Sequence, residues 1–385
     1  MMKALILKCY GSAAQLELAE VATPTIKPGD ILVRVHAAGV NPIDYMIARG
    51  LFKPIIKLEL PATMGSDVAG VVVAVGSRVT RFKVGDAIFG STFDLGSGSF
   101  AEFVAMPEHA AAIKPVNLDY VQAASVPMVG LTSWQALTER AQLKRGQKVF
   151  IPAGAGGIGS FAIQVAKHLG ATVGTTTSTG NVAFVRSLGA DEVIDYKTQA
   201  FDEVLRGFDA VLGAIRGAEL EKAVRIVKAG SRVVSLVGPP DAAFAKASGM
   251  GYVMKLVFGL LSRKINGLAK GRGPGMHLCG YVPTAASFPS SASCLQRNSC
   301  ARWSTKLSTQ ACSREHSFKF KFGEYLGKFR MRLSFKVDTS LAQILLTQGR
   351  PHRRHVSPDT LQCQPLEGIF LHPSIGKINR RQYLQ

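Results

Sequence analysis

The sequence predicts an α/β protein in two parts, a partly open β-barrel followed by a doubly wound parallel sheet, with an irregular C-terminal tail. Three observations carry this. Short strand-like runs broken by glycine turns crowd residues 1–125. A β-rich run, Val149-Phe150-Ile151, drives into a glycine cluster at 154–159 and then a helix-like stretch to Leu169. Beyond it, apolar β-runs alternate with helical segments as far as Val237, the pattern of parallel strands joined by crossover helices.

Composition sets the limits. At 385 residues and 47% hydrophobic content the chain has length for two cores. We divide it into residues 1–125, 126–272 and a tail at 273–385. Met1-Met2-Lys3 leads straight into Ala4-Leu5-Ile6-Leu7 without a charged-then-apolar leader, which predicts a cytoplasmic protein. The apolar run Val253–Leu261 is interrupted by Lys255 and is too short to span a bilayer, so no stable membrane insertion is expected. A formal charge of +20 ordinarily points to nucleic acid. Here more than half of the excess lies beyond residue 280, and five of the six cysteines (Cys279, Cys294, Cys300, Cys312 and Cys363) crowd the same end. Neither skew has the spacing of a zinc site or a disulfide framework.

The first part reads as strands at Lys3–Leu7, Asp30–Ala37, Val68–Val75 and Phe100–Ala105, with turns at Pro28-Gly29-Asp30, Asn41-Pro42 and Gly85-Asp86. In the second part, Gly154, Gly156 and Gly159 give the spacing G-x-G-x-x-G between a strand and a helix. The first glycine allows a tight turn, the second lets the backbone approach a pyrophosphate, and the third lets helix and strand pack closely. Ala155, Gly157 and Ile158 complete a cradle whose free N–H groups face phosphates at the helix start. Strands at Thr172–Thr176, Glu192–Tyr196, Asp209–Ala214 and Ser231–Val237 alternate with helices at Val182–Leu188, Phe201–Leu205 and Glu219–Val227. The stretch ending the second strand, Thr175 to Asn181, holds no carboxylate to repel a 2′-phosphate, so NADPH (NADP) is the expected cofactor.

The strings VRVHAAGVNPIDYMIARG, LPATMGSDVAGVVVAVG, VTRFKVGDAIFG and GSGSFAEF, followed by PMVGLTSWQAL and AGAGGIG, resemble the medium-chain dehydrogenase/reductase superfamily. The resemblance is closest to its zinc-independent quinone oxidoreductase branch and runs from Met2 to about Gly273. It implies a GroES-like catalytic domain and a Rossmann nucleotide-binding domain. It also implies hydride transfer from NADPH to a small-molecule quinone or α,β-unsaturated carbonyl (enone). Zinc alcohol dehydrogenases of this superfamily carry cysteine where Asn41 stands and histidine where Ser66 stands, and neither replacement anchors zinc. No metal is expected, and a surface or hydrogen-bonding role is expected for Asp67 and His36. In place of zinc, hydrogen-bond donors must polarise the substrate carbonyl, and the resemblance sets Asn41 beside the nicotinamide ring with Thr132 reaching the ring from the helix of GLTSW. Asn41 also reads as a plain turn residue before Pro42. Tyr45 is the available acid, with a packing role as the alternative and water as the alternative proton source. In related enzymes a serine, a lysine and a tyrosine hold the 2′-phosphate. Ser178 and Tyr196 match, Asn181 replaces the lysine, and Arg186 or Lys197 can supply charge. Val237 and Gly238 run past the nicotinamide in the same reading.

Residues 249–270 form a basic amphipathic helix, read as packed on its own domain with a solvated cationic face rather than docked on a membrane. After Gly273 the family's last sheet strand and returning barrel strands are not recognisable. Back-translating Tyr281–Thr309 and shifting by one nucleotide permits RPDGGQLSQLGELFAEKQLRPVVDKTFD, which resembles the family's own segment. We therefore expect a slipped reading frame near 273–280, loss of the last strand, and a poorly ordered tail whose charge reports no partner. Two alternatives accompany the enzymatic reading. One is a nucleic-acid-binding protein, which lacks interleaved aromatics and any RNA module, so no nucleic acid is expected. The other is a non-catalytic remnant. Relatives pair through the sheet edge, which leaves a homodimer open.

Overall fold

The computed structural model describes residues 1–11, 16–53, 58–93, 95–237, 251–261, 263, 267, 277–280 and 317–318. These residues lie within one compact unit spanning Met1–Leu341. The first part begins with β1 (Met2–Leu7), β2 (Leu16–Val21) and β3 (Asp30–Gly39), then α1 (Pro42–Ala48). It continues through β4 (Ala62–Thr63), β5 (Asp67–Val75), β6 (Ala87–Ser91), β7 (Phe103–Pro107) and β8 (Ala111–Ile113). Along β3, Ile31, Val33, Val35 and Ala37 are buried while Arg34 and His36 face solvent. That period of two is the mark of a strand with one face on a core. β3 is antiparallel to both β5 and β7, and the sheet continues through β6 to β8. A smaller sheet, β2-β1-β4, is joined to it by the Ala4–Ala101 bridge and by the Leu5 N–H bonded to the Phe100 carbonyl at 2.8 Å. Phe100 and Ala101 are therefore a link between sheets, and the strand expected from Phe100 starts at Phe103.

Two short helices, α2 (Tyr120–Ala124) and α3 (Pro127–Gln135), lead into the second part. There the order is β9 (Lys148–Ile151), α4 (Gly157–His168), β10 (Thr172–Thr177), α5 (Val182–Ser187), β11 (Glu192–Asp195) and α6 (Phe201–Val204). Then come β12 (Phe208–Gly213), α7 (Gly217–Ile226), β13 (Val227–Ser235), α8 (Tyr252–Leu261) and β14 (His277–Gly280), with β15 (Ser317–Phe318) pairing back onto β3. The parallel sheet has the order β11-β10-β9-β12-β13-β14. Its central strands β9, β10 and β12 are buried almost without interruption, as expected where both faces of a sheet are covered. The chain runs outward from β9 to β11, then returns to place β12 against the other side of β9. The carboxyl end of β9 is thus the switch point, where ligands of such sheets bind.

Two expectations are corrected. The sheet does have its sixth strand: β14 pairs in parallel with Arg232–Ser235. Four residues are too few for a pattern, but the exposed edge of β13 offers their backbone hydrogen bonds. Among the described residues of this helix, Tyr252, Val253, Leu256 and Leu260 of α8 are more than half exposed and Lys255 is half-buried, so the solvated face carries apolar side chains beside the exposed Arg263 rather than cations alone. The loss of the returning barrel strands is met by β15, whose Ser317 and Phe318 pair with Gly39 and Ala38 of the barrel sheet, and the other expectations for 281–385, including the frame slip, lie outside the described residues. Among the described residues, no helix is long and apolar enough to cross a membrane.

One aromatic cluster anchors the parallel sheet. Phe150 is fully buried, stacked on Phe201 at 4.7 Å and edge-on to Phe208 at 5.8 Å between ring centroids. Phe150→Ala leaves a cavity with little room to collapse, so a loss of about 3–5 kcal/mol is expected. Urea unfolding checks it, through a lower midpoint at unchanged slope.

Candidate functional site

Close packing shapes the loop after β9. Ala153 takes the left-handed conformation, at φ 54°, so the tight turn falls on an alanine rather than on Gly154. Its N–H donates to the Thr176 hydroxyl at 3.1 Å, and the Gly154 N–H donates to the Thr176 carbonyl at 2.9 Å. Gly154 is required for a different reason. A Cβ there would sit 2.2 Å from the Thr175 hydroxyl oxygen, and one at Gly159 would sit 2.3 Å from the Ala153 carbonyl oxygen. A Cβ on Gly156 would meet only the Ala153 carbonyl oxygen, at 3.3 Å, and is otherwise in open space. Gly156 is exposed and is the N-cap of α4, where no side chain caps the helix. The first N–H groups of α4, with Ala155, Gly157 and Ile158 half-buried around them, have no side-chain cap, the arrangement an anionic ligand would need.

At the carboxyl ends of β10 and β11 the expected phosphate-binding residues come together. The Asn181 amide donates to the Ser178 hydroxyl at 3.1 Å. The Tyr196 N–H donates to the Thr177 carbonyl at 3.1 Å, leaving the ring 60% exposed. Arg186 and Lys197 are exposed on the same part of the chain. The sequence reading missed Asp195. The β10–β11 register sets it opposite Thr177, and Thr179 hydrogen-bonds its carboxylate, holding it below the usual carboxylate range with help from the Lys197 N–H. A carboxylate therefore does stand here, supplied by the neighbouring strand. The segment after β13 ends at Val237, which is exposed, and Gly238 lies outside the described residues.

A third cluster is buried where the barrel meets α3. Asn41 opens α1 in an extended conformation, and the Asp44 carboxylate accepts from its backbone N–H at 2.7 Å. The Asn41 side-chain Nδ2 donates to Asp67 Oδ2 at 3.0 Å, and the Met128 N–H donates to that same oxygen at 3.1 Å. The Ser66 hydroxyl donates to Asp44 Oδ1 at 2.9 Å. Thr132 lies one turn past Met128 on α3 and is buried, at 6% exposure. The neighbouring Ser133 hydroxyl donates to the Ile158 carbonyl at 3.4 Å, which ties α3 to the glycine-loop helix. Tyr45 is not part of this cluster. It is half exposed, accepts from Arg49 at 2.8 Å, and has the guanidinium 5.7 Å from its ring centroid. His36 stacks on Tyr120 at 4.4 Å.

Burial dominates the electrostatics. It raises Asp44 to about 6 and Asp67, with the Asp44 charge adding, to about 8, against an ordinary value of 3.8. A carboxyl raised on folding contributes most stability at low pH, and that contribution fades as pH climbs. Asp67→Asn should therefore gain on the wild type in melting temperature from about pH 4 to about pH 8 and level off above. Calorimetry across that range checks it.

Comparison with known proteins follows this geometry. The family described as "Alcohol dehydrogenase GroES-like domain" matches residues 27–116, and that described as "Zinc-binding dehydrogenase" matches 157–267. The 2-methylene-furan-3-one reductase of Solanum lycopersicum is 39% identical over 71% of this chain and 72% of its own length. The chloroplastic NADPH-dependent alkenal/one oxidoreductase of Arabidopsis thaliana is 37% identical over 71% of this chain and 73% of its own. Among solved structures, the quinone oxidoreductase from Coxiella burnetii superposes with a TM-score of 0.61 at 29% identity, over 78% of this chain and 88% of that one. An antiparallel barrel sheet, a parallel sheet switching at a glycine loop, and these relatives together make the chain an oxidoreductase of the quinone oxidoreductase branch of the medium-chain dehydrogenase/reductase superfamily.

Proposed function

We propose that this chain is an NADPH-dependent, zinc-independent oxidoreductase that reduces a quinone or an α,β-unsaturated carbonyl. The observation that carries this reading is the glycine loop: an uncapped helix N-terminus beside Gly156, whose face is open, at the switch point of the sheet. The N–H groups of Ala155 to Ile158 would hold the pyrophosphate, with Gly154 and Gly159 shaping the turn. Ser178, Asn181, Tyr196 and Lys197 would face the 2′-phosphate, with Arg186 or Lys197 offsetting the charge of Asp195, which hydrogen bonds from Thr179 and the Lys197 N–H keep ionised. Val237 and Gly238 would flank the nicotinamide. When bound, NADPH supplies the hydride.

The donor set around Asn41 does not suit zinc. The Ser66 hydroxyl and the Asn41 amide both present hydrogens to carboxylates, not lone pairs to a cation. The acceptor oxygen would instead be polarised by Asn41 and Thr132, between the barrel of residues 1–125 and the nucleotide-binding part that follows it. Tyr45, turned to Arg49, stays outside this pair, and water supplies the proton. A cytoplasmic location belongs to the same proposal, although the Arabidopsis relative is named chloroplastic. Two copies paired along the β14 edge would complete the assembly, which sedimentation velocity distinguishes from a monomer.

Fluorescence titration should give NADPH binding at least about 10-fold tighter than NADH. Gly156→Val should weaken NADPH binding by about 10-fold or more with only a small loss of stability, since a Cβ there meets the Ala153 carbonyl oxygen at 3.3 Å and otherwise open space. Equal binding of both cofactors, or no effect of the valine, counts against the site. Asn41→Ala should cut turnover with a soluble quinone or enone by about 10- to 100-fold, read from kcat at saturating NADPH.

A further inference from the structure

Asp67 is buried to 1% exposure, and the reading above gives it no role. Its two oxygens differ. Oδ2 accepts from the Asn41 side chain at 3.0 Å and from the Met128 N–H at 3.1 Å. These donors come from the turn before α1 and from the first turn of α3. Thr132 is four residues beyond Met128, one helical turn along α3. A single oxygen thus holds the amide of one expected donor and the base of the helix that presents the other. Oδ1 is buried without a hydrogen bond, and the Ser91 hydroxyl pulls only weakly toward the charged form. The groups facing this carboxyl are Asn41 and Asp44 from α1, Ser91 from β6 and Met128 from α3. Asp44 is itself bonded to the Asn41 backbone and to Ser66, so both carboxyls converge on Asn41.

We infer that Asp67 is a positioning residue that sets the spacing and orientation of the Asn41–Thr132 pair through one shared oxygen. This rests on the reading of that pair as the groups beside the acceptor. While Oδ2 accepts, the Asn41 amide is fixed with its nitrogen toward Asp67, and rotation about its terminal torsion is blocked. Losing the shared oxygen frees the amide and the first turn of α3 together. Misplacement of this kind costs turnover more than cofactor binding, because the glycine loop keeps its own hydrogen bonds to Thr176, and the Ser133–Ile158 contact lies beyond the first turn of α3 that Asp67 holds.

The test uses the full chain with two substitutions. Asp67→Asn keeps a carbonyl oxygen for both donors, whereas Asp67→Ala removes it. Asp67→Ala should lower kcat about 10- to 100-fold with the NADPH dissociation constant unchanged within about twofold, and Asp67→Asn should restore kcat to within about threefold. Equal losses in the two variants, or no loss in Asp67→Ala, overturn the proposal. A second readout needs neither turnover nor a folded alanine variant. In 1H–15N spectra of the wild type, the Asn41 side-chain amide and the Met128 N–H should shift with one shared midpoint as pH rises, and neither should shift so in Asp67→Asn. Independent midpoints overturn the proposal even if catalysis is normal. If the wild type reduces neither quinone nor enone, the functional reading fails alone, and the spectra still decide the role of Asp67.

Discussion

A carboxyl group taken out of water must find donors, and Asp67 finds its donors on elements 26 and 61 residues away in sequence. That requirement binds the barrel to the start of α3. In the same region Gly39 must be glycine, since a Cβ there would sit 2.5 Å from the Ala124 carbonyl oxygen and 3.0 Å from Asp67 Cβ. The same region is continuous apolar core. Ala37, Ala69 and Phe89 of the barrel pack in one cluster with Leu131 of α3 and Phe161 of α4. The polar knot therefore sits inside a seam of close-packed side chains, where its geometry is held on all sides.

The parallel sheet works by a complementary constraint. Its central strands are buried on both faces, and the glycine loop is packed so tightly that Gly154 and Gly159 have no room for a side chain. The open position is Gly156, which faces away from the packing. Tight contact behind the loop and free space in front of it leave the first backbone N–H groups of α4 open and uncapped. The cofactor end and the polar knot meet through α3, which bonds Asp67 at its first turn and Ile158 through Ser133.

Much of this was legible in the chain. Val149-Phe150-Ile151 followed by glycines placed β9, its loop and α4, because an apolar run, missing side chains and a helical period are local signals. The alternation of β10 to α7 was readable for the same reason, with ends displaced by one or two residues. Asn41 illustrates the limit. Sequence left it as either a turn residue before Pro42 or a group beside the cofactor, and the structure shows it beginning α1 while its amide reaches Asp67. Tyr45 shows the converse, a plausible acid whose hydroxyl is taken by Arg49 four residues later.

What the sequence alone determined is the order of elements and the phosphate-type loop, since hydrophobic period and glycine spacing act over a few residues. Only the tertiary structure decided the rest. It put the left-handed turn on Ala153 because Gly154 was needed against Thr175. It brought Asp195 beside Thr179 through strand register, and it completed the sheet with β14 by backbone pairing that needs no sequence pattern. It also gathered Asn41, Asp44, Ser66 and Asp67 around one shared set of hydrogens. Those contacts join residues far apart in the chain, and folding alone brings their partners within reach.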